Sequence, residues 1–194
     1  MGQDMADGIK LVVGLGNPGQ EYDQTRHNVG FWLLDQLANN YRADFRSEKK
    51  FHGEICKIDL GVKPVWLLKP MTYMNKSGLA VSALVNYYKI LPEEVLVVHD
   101  ELDHEAGDVR LKKGGGHAGH NGLRDIISSL GCKDFYRLRL GIGHPGSKSK
   151  VVNYVLGTPG RDDKIAIDLA IDNALSEISL IIDGEFEKAM NRLN

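Results

Sequence analysis

The sequence predicts an α/β fold, a single-domain three-layer sandwich in which helices flank a twisted, mixed and mainly parallel sheet. Short apolar runs of strand length alternate along the chain with segments of helical spacing, an alternation typical of such sheets. The chain has 194 residues with no internal repeat and no low-complexity linker, which is the size of one domain. We therefore expect one domain over residues 9–194.

The N-terminal segment and the overall composition exclude several classes of protein. Residues 1–8 are polar and acidic, and we expect a disordered terminus or an expression remnant rather than a secretory signal. No apolar run approaches the roughly 18 residues that a membrane helix needs. Cys56 and Cys132 are far apart and give neither a disulfide framework nor metal spacing. These features favour a cytoplasmic, monomeric protein with no membrane partner.

The first half of the chain predicts two kinds of strand. The apolar run from Ile9 to Leu15 predicts a buried strand that enters the tight loop 16–19. A helix is expected over 29–41, with Asn28 as its N-cap. Two strands over 51–60 and 62–69, joined by a turn at Leu60-Gly61, then predict the antiparallel part of the sheet.

The second half of the chain continues the alternation of strands and helices. In parallel sheets, polar residues just past the carboxyl ends of the strands form the site. The expected elements are a helix over 77–88 stopped by Pro92, a strand over 95–98 that ends in His99-Asp100-Glu101, a short strand over 109–111, a helix over 121–130, a half-buried strand over 135–142 and a long helix over 165–182.

Charge is distributed unevenly along the chain. The net charge is −2, but the segment from Arg110 to Lys150 holds nine lysines and arginines against two acids, which is +7 and leaves −9 for the remainder. A basic segment on an otherwise acidic protein indicates a polyanionic partner bound by one face. Clustering of surface charge by chance is the alternative.

The segment 14–19 matches the G-x-G-x-x-G pattern of dinucleotide-binding loops. The physical requirements of that loop are not met, because Pro18 lacks an N–H group and the next helix is expected about ten residues later. No acid ends a second strand about twenty residues on, since Asp35 falls within the predicted helix. We interpret the glycines as permitting a sharp turn that presents Asn17.

Two pairs of residues resemble metal sites, His117 with His120 and His99 with Asp100. Zinc needs three or four ligands on rigid elements, and hard cations prefer more carboxylates than this segment offers. The His-Asp dyad of metal phosphohydrolases belongs to helical domains, whereas this pair follows an apolar strand. We expect no metal and no other cofactor, and a metal-dependent phosphohydrolase remains an alternative.

The polar motifs share one chemical style. Each places a neutral amide or an imidazole on a turn-rich segment, and one carboxylate, that of Asp100, lies near a strand end. No Ser or Cys occupies a nucleophile elbow, so a covalent mechanism is not supported. The residues favour an imidazole that acts as general base on water, an acid that orients it, and amide donors for an oxyanion.

Six ordered motifs resemble those of the bacterial peptidyl-tRNA hydrolase family, and the resemblance runs from Ile9 to the C-terminal helix. Two departures are that Ala118 stands where the family more often has glycine, and that the chain just before Phe135 is slightly shorter than in some relatives. The motifs are Gly14–Gly19, Thr25–Asn28, Met74-Asn75, His99–Asp103, Gly114–Gly122 and Arg137–Pro145.

This resemblance implies a monomeric, metal-independent esterase with one catalytic domain. It would hydrolyse the ester between the carboxyl end of a peptide and the 3′-terminal ribose of tRNA, which recycles tRNA. By motif position, His27 is the catalytic base, Asp100 orients it and stabilises its imidazolium form, and Asn17 holds the substrate and the attacking water. A carboxylate partner favours the charged form of histidine, which agrees with these roles.

The resemblance also implies a substrate-binding set. Asn121 would help to hold the substrate and the water, and Tyr22 and His120 would line the same cleft. Asn75 and the Met74 backbone would contact the ester or the peptide and form an oxyanion site. Hydrogen bonds to a peptide main chain ignore side chains, which suits an enzyme that accepts any peptide sequence.

The basic segment matches the family's tRNA-binding positions. Lys112, Arg139 and Lys148 would contact phosphates of elongator tRNAs, which fixes the register of the tRNA without reading its sequence. Arg137 and Arg139 alternate on one strand face, and the alternative role for them is that they only pair with acids. The additional helpers we expect are Lys113, Arg137 and Lys150.

Several alternatives stay open. His27 fits a structural histidine before a helix, and Asn75 fits a cap of the following helix, although a cap is compatible with substrate contact. The segment 151–156 resembles a mobile lid over the cleft, or is a small amphipathic helix packed on the core. The whole chain is alternatively an RNA-binding relative without catalytic activity.

Overall fold

The computed structural model describes residues 8–60 and 63–194. One seven-stranded sheet passes through them, in the order β2-β3-β4-β1-β5-β7-β6. Its strands are β1 (Leu11–Gly14), β2 (Arg46–Glu48), β3 (Gly53–Leu60), β4 (Lys63–Pro70), β5 (Val95–Glu101), β6 (Val109–Lys113) and β7 (Tyr136–Gly141).

The sheet is mixed and mainly parallel, as the sequence predicted. Strand β1 pairs in parallel with β4 and β5, and β5 pairs in parallel with β7. The pairs β2-β3, β3-β4 and β6-β7 are antiparallel, so five of the seven strands run in one direction. The carboxyl ends of the two central strands, β1 and β5, therefore meet at one edge of the sheet.

Helices cover both faces of the sheet and complete the three-layer sandwich. One face packs against α1, α5, α6 and α7, and the other packs against α2 and α3, each with its own apolar core. The helices are α1 (Val29–Asn40), α2 (Ser77–Tyr88), α3 (Asn121–Leu130), α4 (Val151–Val155), α5 (Arg161–Ser176), α6 (Ile178–Ile182) and α7 (Phe186–Leu193). No helix among the described residues has the length and apolar character needed to cross a bilayer.

Burial on both faces explains why the central strands read as continuous apolar runs. Every residue of β1 is buried, and β5 is buried from Val95 to Asp100. The expectation of a half-buried strand at 135–142 is wrong, because only Arg139 of β7 is partly exposed. The ring of Phe186 stacks on Tyr136 with centroids 3.7 Å apart, so α7 covers this side of the sheet.

Several predicted boundaries need correction. Helix α2 ends at Tyr88 because Lys89 adopts a left-handed conformation with φ of +54°, before Pro92 is reached. Strand β5 does not end at Val98 but continues through Glu101. The predicted helix over 165–182 is two helices that meet at Glu177, and β2 and α7 are elements that the sequence patterns did not predict.

Two predictions fall largely on undescribed parts of the chain. The turn at Leu60-Gly61 lies outside the described residues except for Leu60, and the prediction for residues 1–8 does so except for Gly8. Gly8 is buried, and the N–H of the next residue, Ile9, donates to Ile182 O at 2.9 Å. The packed part of the chain thus includes Gly8, one residue before the expected boundary.

Candidate active site

A three-residue 3-10 turn, Arg26–Asn28, carries His27 into the edge where β1 and β5 end. The turn follows Thr25, whose hydroxyl donates to Tyr22 O at 2.8 Å, and it leads directly into α1. Its three side chains contact three different parts of the fold. Arg26 contacts α4, His27 contacts Asp100 at the end of β5, and Asn28 contacts Asn17.

Asn28 fixes the backbone of the loop after β1. Its Nδ2 donates to Asn17 O and its Oδ1 accepts from Asn17 N, both at 2.9 Å. Asn28 does precede α1, as predicted, but its side chain makes no cap hydrogen bond with the helix. The N-cap prediction is therefore wrong in function, because the amide is already used to hold Asn17. No spacing pattern in the sequence marks this exchange.

His27 and Asp100 form a buried hydrogen-bonded pair. The His27 Nδ1 lies 2.8 Å from Asp100 Oδ2, and both side chains are almost wholly buried. An ionised carboxylate only accepts, so the proton of a neutral His27 ring lies on Nδ1. Its Nε2 is then unprotonated, which is the form that a general base needs.

The same carboxylate accepts a second imidazole. His120 Nε2 lies 2.8 Å from Asp100 Oδ1. The other ring nitrogen of His120, Nδ1, accepts from Gly122 N at 3.1 Å and from Leu123 N at 3.3 Å, so His120 is the N-cap of α3. These donors fix the proton of His120 on Nε2. Asp100 therefore receives two hydrogen bonds and stays acceptor-only.

The pKa values of this pair follow from burial and charge. Burial raises the pKa of Asp100, but the charges and hydrogen bonds of His27 and His120 outweigh it and hold that pKa well below its usual value. Burial lowers the pKa of His27, whereas the charge and hydrogen bond of Asp100 raise it, and the net pKa lies above the ordinary 6.5. The carboxylate is thus ionised wherever His27 titrates.

His99 does not pair with Asp100 through its carboxylate. Its Nδ1 donates to the main-chain oxygen of Asp100 at 2.8 Å, and its ring packs edge-on against His120 with centroids 5.1 Å apart. Its Nε2 is buried without a hydrogen-bond partner in the part of the chain described here. Burial, then the neighbouring His120, lowers the pKa of His99 to about 3, so the ring is neutral.

Three asparagines present amides to the cleft. Asn17 Oδ1 accepts from Met74 N at 2.7 Å, which turns Asn17 Nδ2 outward as a donor. The Met74 N–H is used by this bond, and Met74 O accepts from the Ser77 hydroxyl at 2.7 Å with one lone pair left, so contact of the Met74 backbone with the substrate stays a prediction. Asn75, in the turn before α2, and Asn121, at the start of α3, are exposed and line the cleft.

These groups surround one cavity of about 300 Å³. The polar part of the lining holds the predicted amides and imidazoles, and the apolar part comes mainly from α4 and the residue after it. The polar lining is Asn17, His27, Asn75, Asp100, Glu101, His120 and Asn121, the apolar lining is Tyr73, Met74, Leu102, Val151, Val152, Val155 and Leu156, and Ala118 and Gly119 complete it. The segment 151–156 is thus a short helix beside the cleft.

Tyr22 does not line this cavity, contrary to the prediction. Its ring instead meets Tyr73 edge-on, with ring centroids 6.4 Å apart. Tyr73 does line the cavity and is 60% exposed. Tyr22 therefore supports the rim of the cleft from outside.

The predicted tRNA-binding residues lie in two places. Lys112 on β6 and Arg139 on β7 line a neighbouring cavity of about 320 Å³, which shares Glu101 and Ala118 with the cleft. Arg139 Nη1 lies 3.6 Å from Glu101 Oε1, so the alternative of pairing with acids applies to it in part. Lys148 is exposed on the turn that precedes α4.

Arg137 has a structural role in place of the expected one. Its guanidinium donates to Gly116 O and Gly115 O, both at 2.6 Å, and to Lys133 O at 3.3 Å. The side chain is buried and holds the glycine-rich loop, so the prediction of a phosphate helper is wrong. Ala118 in the same loop has φ of +49°, a backbone conformation that glycine adopts more easily.

The donor atoms of His27, Asp100 and His120 lie within 4.8 Å of one another, and they form the one group with metal-ligand character in residues 8–60 and 63–194. The pair His117 and His120, whose spacing resembles a metal site, is not part of such a group together. The His27 and His120 nitrogens nearest the carboxylate are at hydrogen-bond distance from it. The set offers three ligands, which is fewer than a structural zinc site has and equals the number of protein ligands in a catalytic one.

Comparisons with known proteins agree with this fold. A family model described as peptidyl-tRNA hydrolase matches residues 11–194. The peptidyl-tRNA hydrolase of Neisseria gonorrhoeae is 55% identical over 190 residues, which cover 98% of this chain and 99% of that protein. That of Coxiella burnetii is 54% identical over 190 residues, which cover 98% of this chain and 100% of that protein.

A solved structure is equally similar. The crystal structure of peptidyl-tRNA hydrolase from Acinetobacter baumannii superposes with a TM-score of 0.94 at 50% sequence identity, and the match covers 97% of this chain and 95% of that one. The resemblance drawn from the six motifs is thereby confirmed. This chain belongs to the peptidyl-tRNA hydrolase family, a family of hydrolase enzymes.

Proposed function

We propose that this chain hydrolyses the ester that joins a peptide to the 3′-terminal ribose of tRNA, with His27 as general base. The observation that carries the proposal is the 2.8 Å hydrogen bond from His27 Nδ1 to the buried Asp100 carboxylate. It keeps the proton of the ring on Nδ1 and so leaves Nε2 able to take a proton from water. Membership of the family supports the substrate class.

The reaction proceeds in two steps. His27 Nε2 takes one proton from a water molecule while its oxygen bonds to the ester carbonyl carbon, and the imidazolium that forms is stabilised by Asp100. The carbonyl oxygen becomes an oxyanion, which the amide groups of Asn17 and Asn75 stabilise by donating hydrogen bonds. The carbon–oxygen bond to the ribose then breaks, and the 3′ oxygen takes the proton from His27.

The remaining polar residues bind the substrate. Asn121 stands beside His120 at the start of α3 and offers an amide to the water or to the peptide main chain. His120 keeps Asp100 in place through its 2.8 Å hydrogen bond. A hydrogen bond from the Asn121 amide to the main chain of the peptide does not depend on the peptide's side chains, which suits a substrate of varied sequence.

The basic residues are proposed to bind the tRNA backbone. Lys112 and Arg139 line one cavity beside the cleft, and Lys148 precedes the α4 wall. Contacts with phosphates supply affinity without reading bases. A monomer that acts in the cytoplasm as one catalytic domain remains part of the proposal.

The test is the release of tRNA from N-acetyl-aminoacyl-tRNA, with and without EDTA. We expect the wild type to be active in both conditions, and His27→Ala to lower kcat by roughly 10²–10⁴ while tRNA affinity is retained. The control is His52→Asn, in an exposed turn.

Each outcome distinguishes the readings. Full activity in His27→Ala would remove that residue from the role of base. Activity abolished by EDTA and restored by a divalent metal would favour the metal-dependent alternative at His27, Asp100 and His120. Binding of tRNA without cleavage by the wild type would favour an RNA-binding protein without catalytic activity.

A further inference from the structure

Arg26 precedes the proposed base, and the mechanism gives it no role. Its backbone N–H donates to Gly157 O at 3.0 Å, and its Nη1 donates to Tyr154 O at 2.9 Å. The guanidinium carbon also lies 3.9 Å from the centroid of the Tyr154 ring, which is a cation–π contact. Three contacts therefore join the turn that carries His27 to the α4 segment, which comprises α4 and the two residues that follow it (151–157).

The α4 segment depends on such contacts for its position. Helix α4 has five residues, which is too short for a helix to be stable on its own. On its other side, the Tyr154 hydroxyl donates to Ile142 O, just after β7. The Arg26 guanidinium fills the space beside Gly157, since a Cβ atom there would lie 3.0 Å from Nη1.

The inner face of this segment is the apolar wall of the cleft. Val151, Val152, Val155 and Leu156 line the cavity, and Val152 is 66% exposed, so the wall contacts the solvent that a substrate would displace. Because Arg26 and His27 are consecutive, the wall and the base are fixed to the same turn. The pKa of His27 is set by burial, which lowers it, and by the charge and hydrogen bond of Asp100, which raise it.

We propose that Arg26 is a positioning residue that holds the α4 wall at a fixed distance from His27, and so determines how tightly the acyl part of the substrate is bound. The inference rests on the proposed function. The wall carries no polar group toward the reacting atoms, so it contacts the ground state and the transition state equally. A loosened wall therefore weakens binding and leaves the chemical step intact.

The first experiment separates KM from kcat. We expect Arg26→Ala to raise KM for N-acetyl-aminoacyl-tRNA roughly tenfold and to change kcat less than threefold. The acid limb of the pH profile is expected to be unchanged. Arg26→Lys, which keeps a donor for Tyr154 O, should restore part of the lost affinity. A shifted acid limb, or a loss confined to kcat, would overturn the proposal.

Two further variants test the contact itself. Tyr154→Leu removes the ring contact with Arg26 and the hydroxyl bond to Ile142 O, whereas Arg26→Ala removes the ring contact and the bond to Tyr154 O. Because the ring contact is common to both substitutions, the double variant should lose less affinity than the sum of the two single variants. Fully additive losses of affinity would contradict a direct contribution of the Arg26–Tyr154 contact. Arg46→Ala, on the edge strand β2, removes the same charge and should leave KM unchanged.

Amide hydrogen exchange decides the structural claim without any turnover. In Arg26→Ala the amides of residues 152–157 should exchange faster than in the wild type, and those of α1 should not. Equal exchange in the wild type and in Arg26→Ala would refute the proposal that Arg26 positions the α4 segment, whether or not the chain hydrolyses peptidyl-tRNA. A wild type that does not hydrolyse the ester would instead refute the proposed function, and the exchange result would still stand.

Discussion

Asp100 has two hydrogen-bond donors, and this arrangement decides the protonation of the site. A buried carboxylate without partners would take up a proton, because burial disfavours its charged form. The His27 and His120 rings each donate to one of its oxygens at 2.8 Å and reverse that tendency. His120 cannot turn away without losing its two bonds to the N–H groups of α3. The orientation of His27 thus depends on the start of α3, through His120 and Asp100.

The substitution Asp100→Asn tests how this carboxylate sets the protonation of His27. The amide can donate to His27 Nδ1 and so favours a proton on Nε2, which removes the base; we expect kcat to fall by roughly 10²–10⁴. In the wild type the raised pKa of His27 means that activity is lost as the pH falls through it. Without the charge of Asp100 this acid limb moves to lower pH. The pH profile of kcat/KM measures both effects, with Asp59→Asn, an exposed residue of β3, as control.

His99 has a pKa of about 3 in the folded protein, so its ring stays neutral until the pH falls close to that value. Below its ordinary value of 6.5 the unfolded chain binds a proton that the folded chain does not, so stability falls as the pH drops through this window. The slope from this group is about 1.4 kcal/mol per pH unit.

The variant His99→Asn tests this slope. The asparagine Nδ2 replaces the donor to Asp100 O and does not titrate. Urea unfolding at pH 7 and pH 5 should therefore show a smaller loss of stability in His99→Asn than in the wild type. His144→Asn, on an exposed loop, is the control. An equal loss of stability in His99→Asn and in the wild type would mean that His99 takes up its proton in the folded state as well.

At the scale of elements, the site depends on how closely α2 and α3 pack. The Gly78 N–H donates to Asp125 Oδ2 at 2.7 Å, and a Cβ at Gly78 would lie 2.3 Å from Ser129 Oγ and 2.5 Å from Asp125 O. These helices carry Asn75 and Asn121 at their starts. The crossing therefore sets the distance between two of the proposed substrate-binding amides.

We expect Gly78→Ala to separate the two helices and to lower the free energy of unfolding by about 2 kcal/mol. Thermal unfolding measures this loss. Gly160→Ala is a matched control, because a Cβ there meets nothing within 4 Å and its φ is −64°. An unchanged melting temperature in Gly78→Ala would show that the crossing adjusts at little cost.

Sequence patterns predict the elements better than they predict the contacts between them. The apolar runs of β1 and β5 were informative because helices cover both faces of the sheet. The break between α5 and α6 at Glu177 was missed, since apolar residues continue across it. The motifs identified His27, Asp100 and His120 by resemblance, and the fold does bring them together.

The missed contacts have a physical explanation. Arg26 and Tyr154 are 128 residues apart, and no local propensity reports a contact at that separation. Asn28 is a common residue before a helix, so its exchange with the Asn17 main chain looks like an ordinary cap. Tyr22 lies between two of the motifs but not in the cavity lining, because the direction of its side chain is set by the loop backbone and not by its place in the sequence.

At the scale of the whole molecule, the uneven charge of the chain has a structural counterpart. Lys112 and Arg139 come from strands β6 and β7 at one end of the sheet and line a cavity next to the cleft. The charge of the remaining chain is negative. A polyanion is therefore attracted to one face and repelled by the others, which orients it before contact.

Lys112→Ala should raise KM for peptidyl-tRNA and reduce the slope of log KM against log salt by about 1. The same measurement on Lys57→Ala, an exposed residue of β3 at the other end of the sheet, should give the wild-type slope. If Lys112→Ala also keeps that slope, its side chain makes no phosphate contact.

The turn formed by Arg26, His27 and Asn28 has a consequence for how the gene can change. Because a 3-10 turn has three residues per turn, inserting or deleting one residue rotates each following side chain by about 120°. An insertion or deletion just before Arg26 would therefore turn all three side chains away from their present partners, whereas a point substitution removes the contacts of only one of them. Length variation should accordingly be tolerated in outlying loops and excluded from this tripeptide.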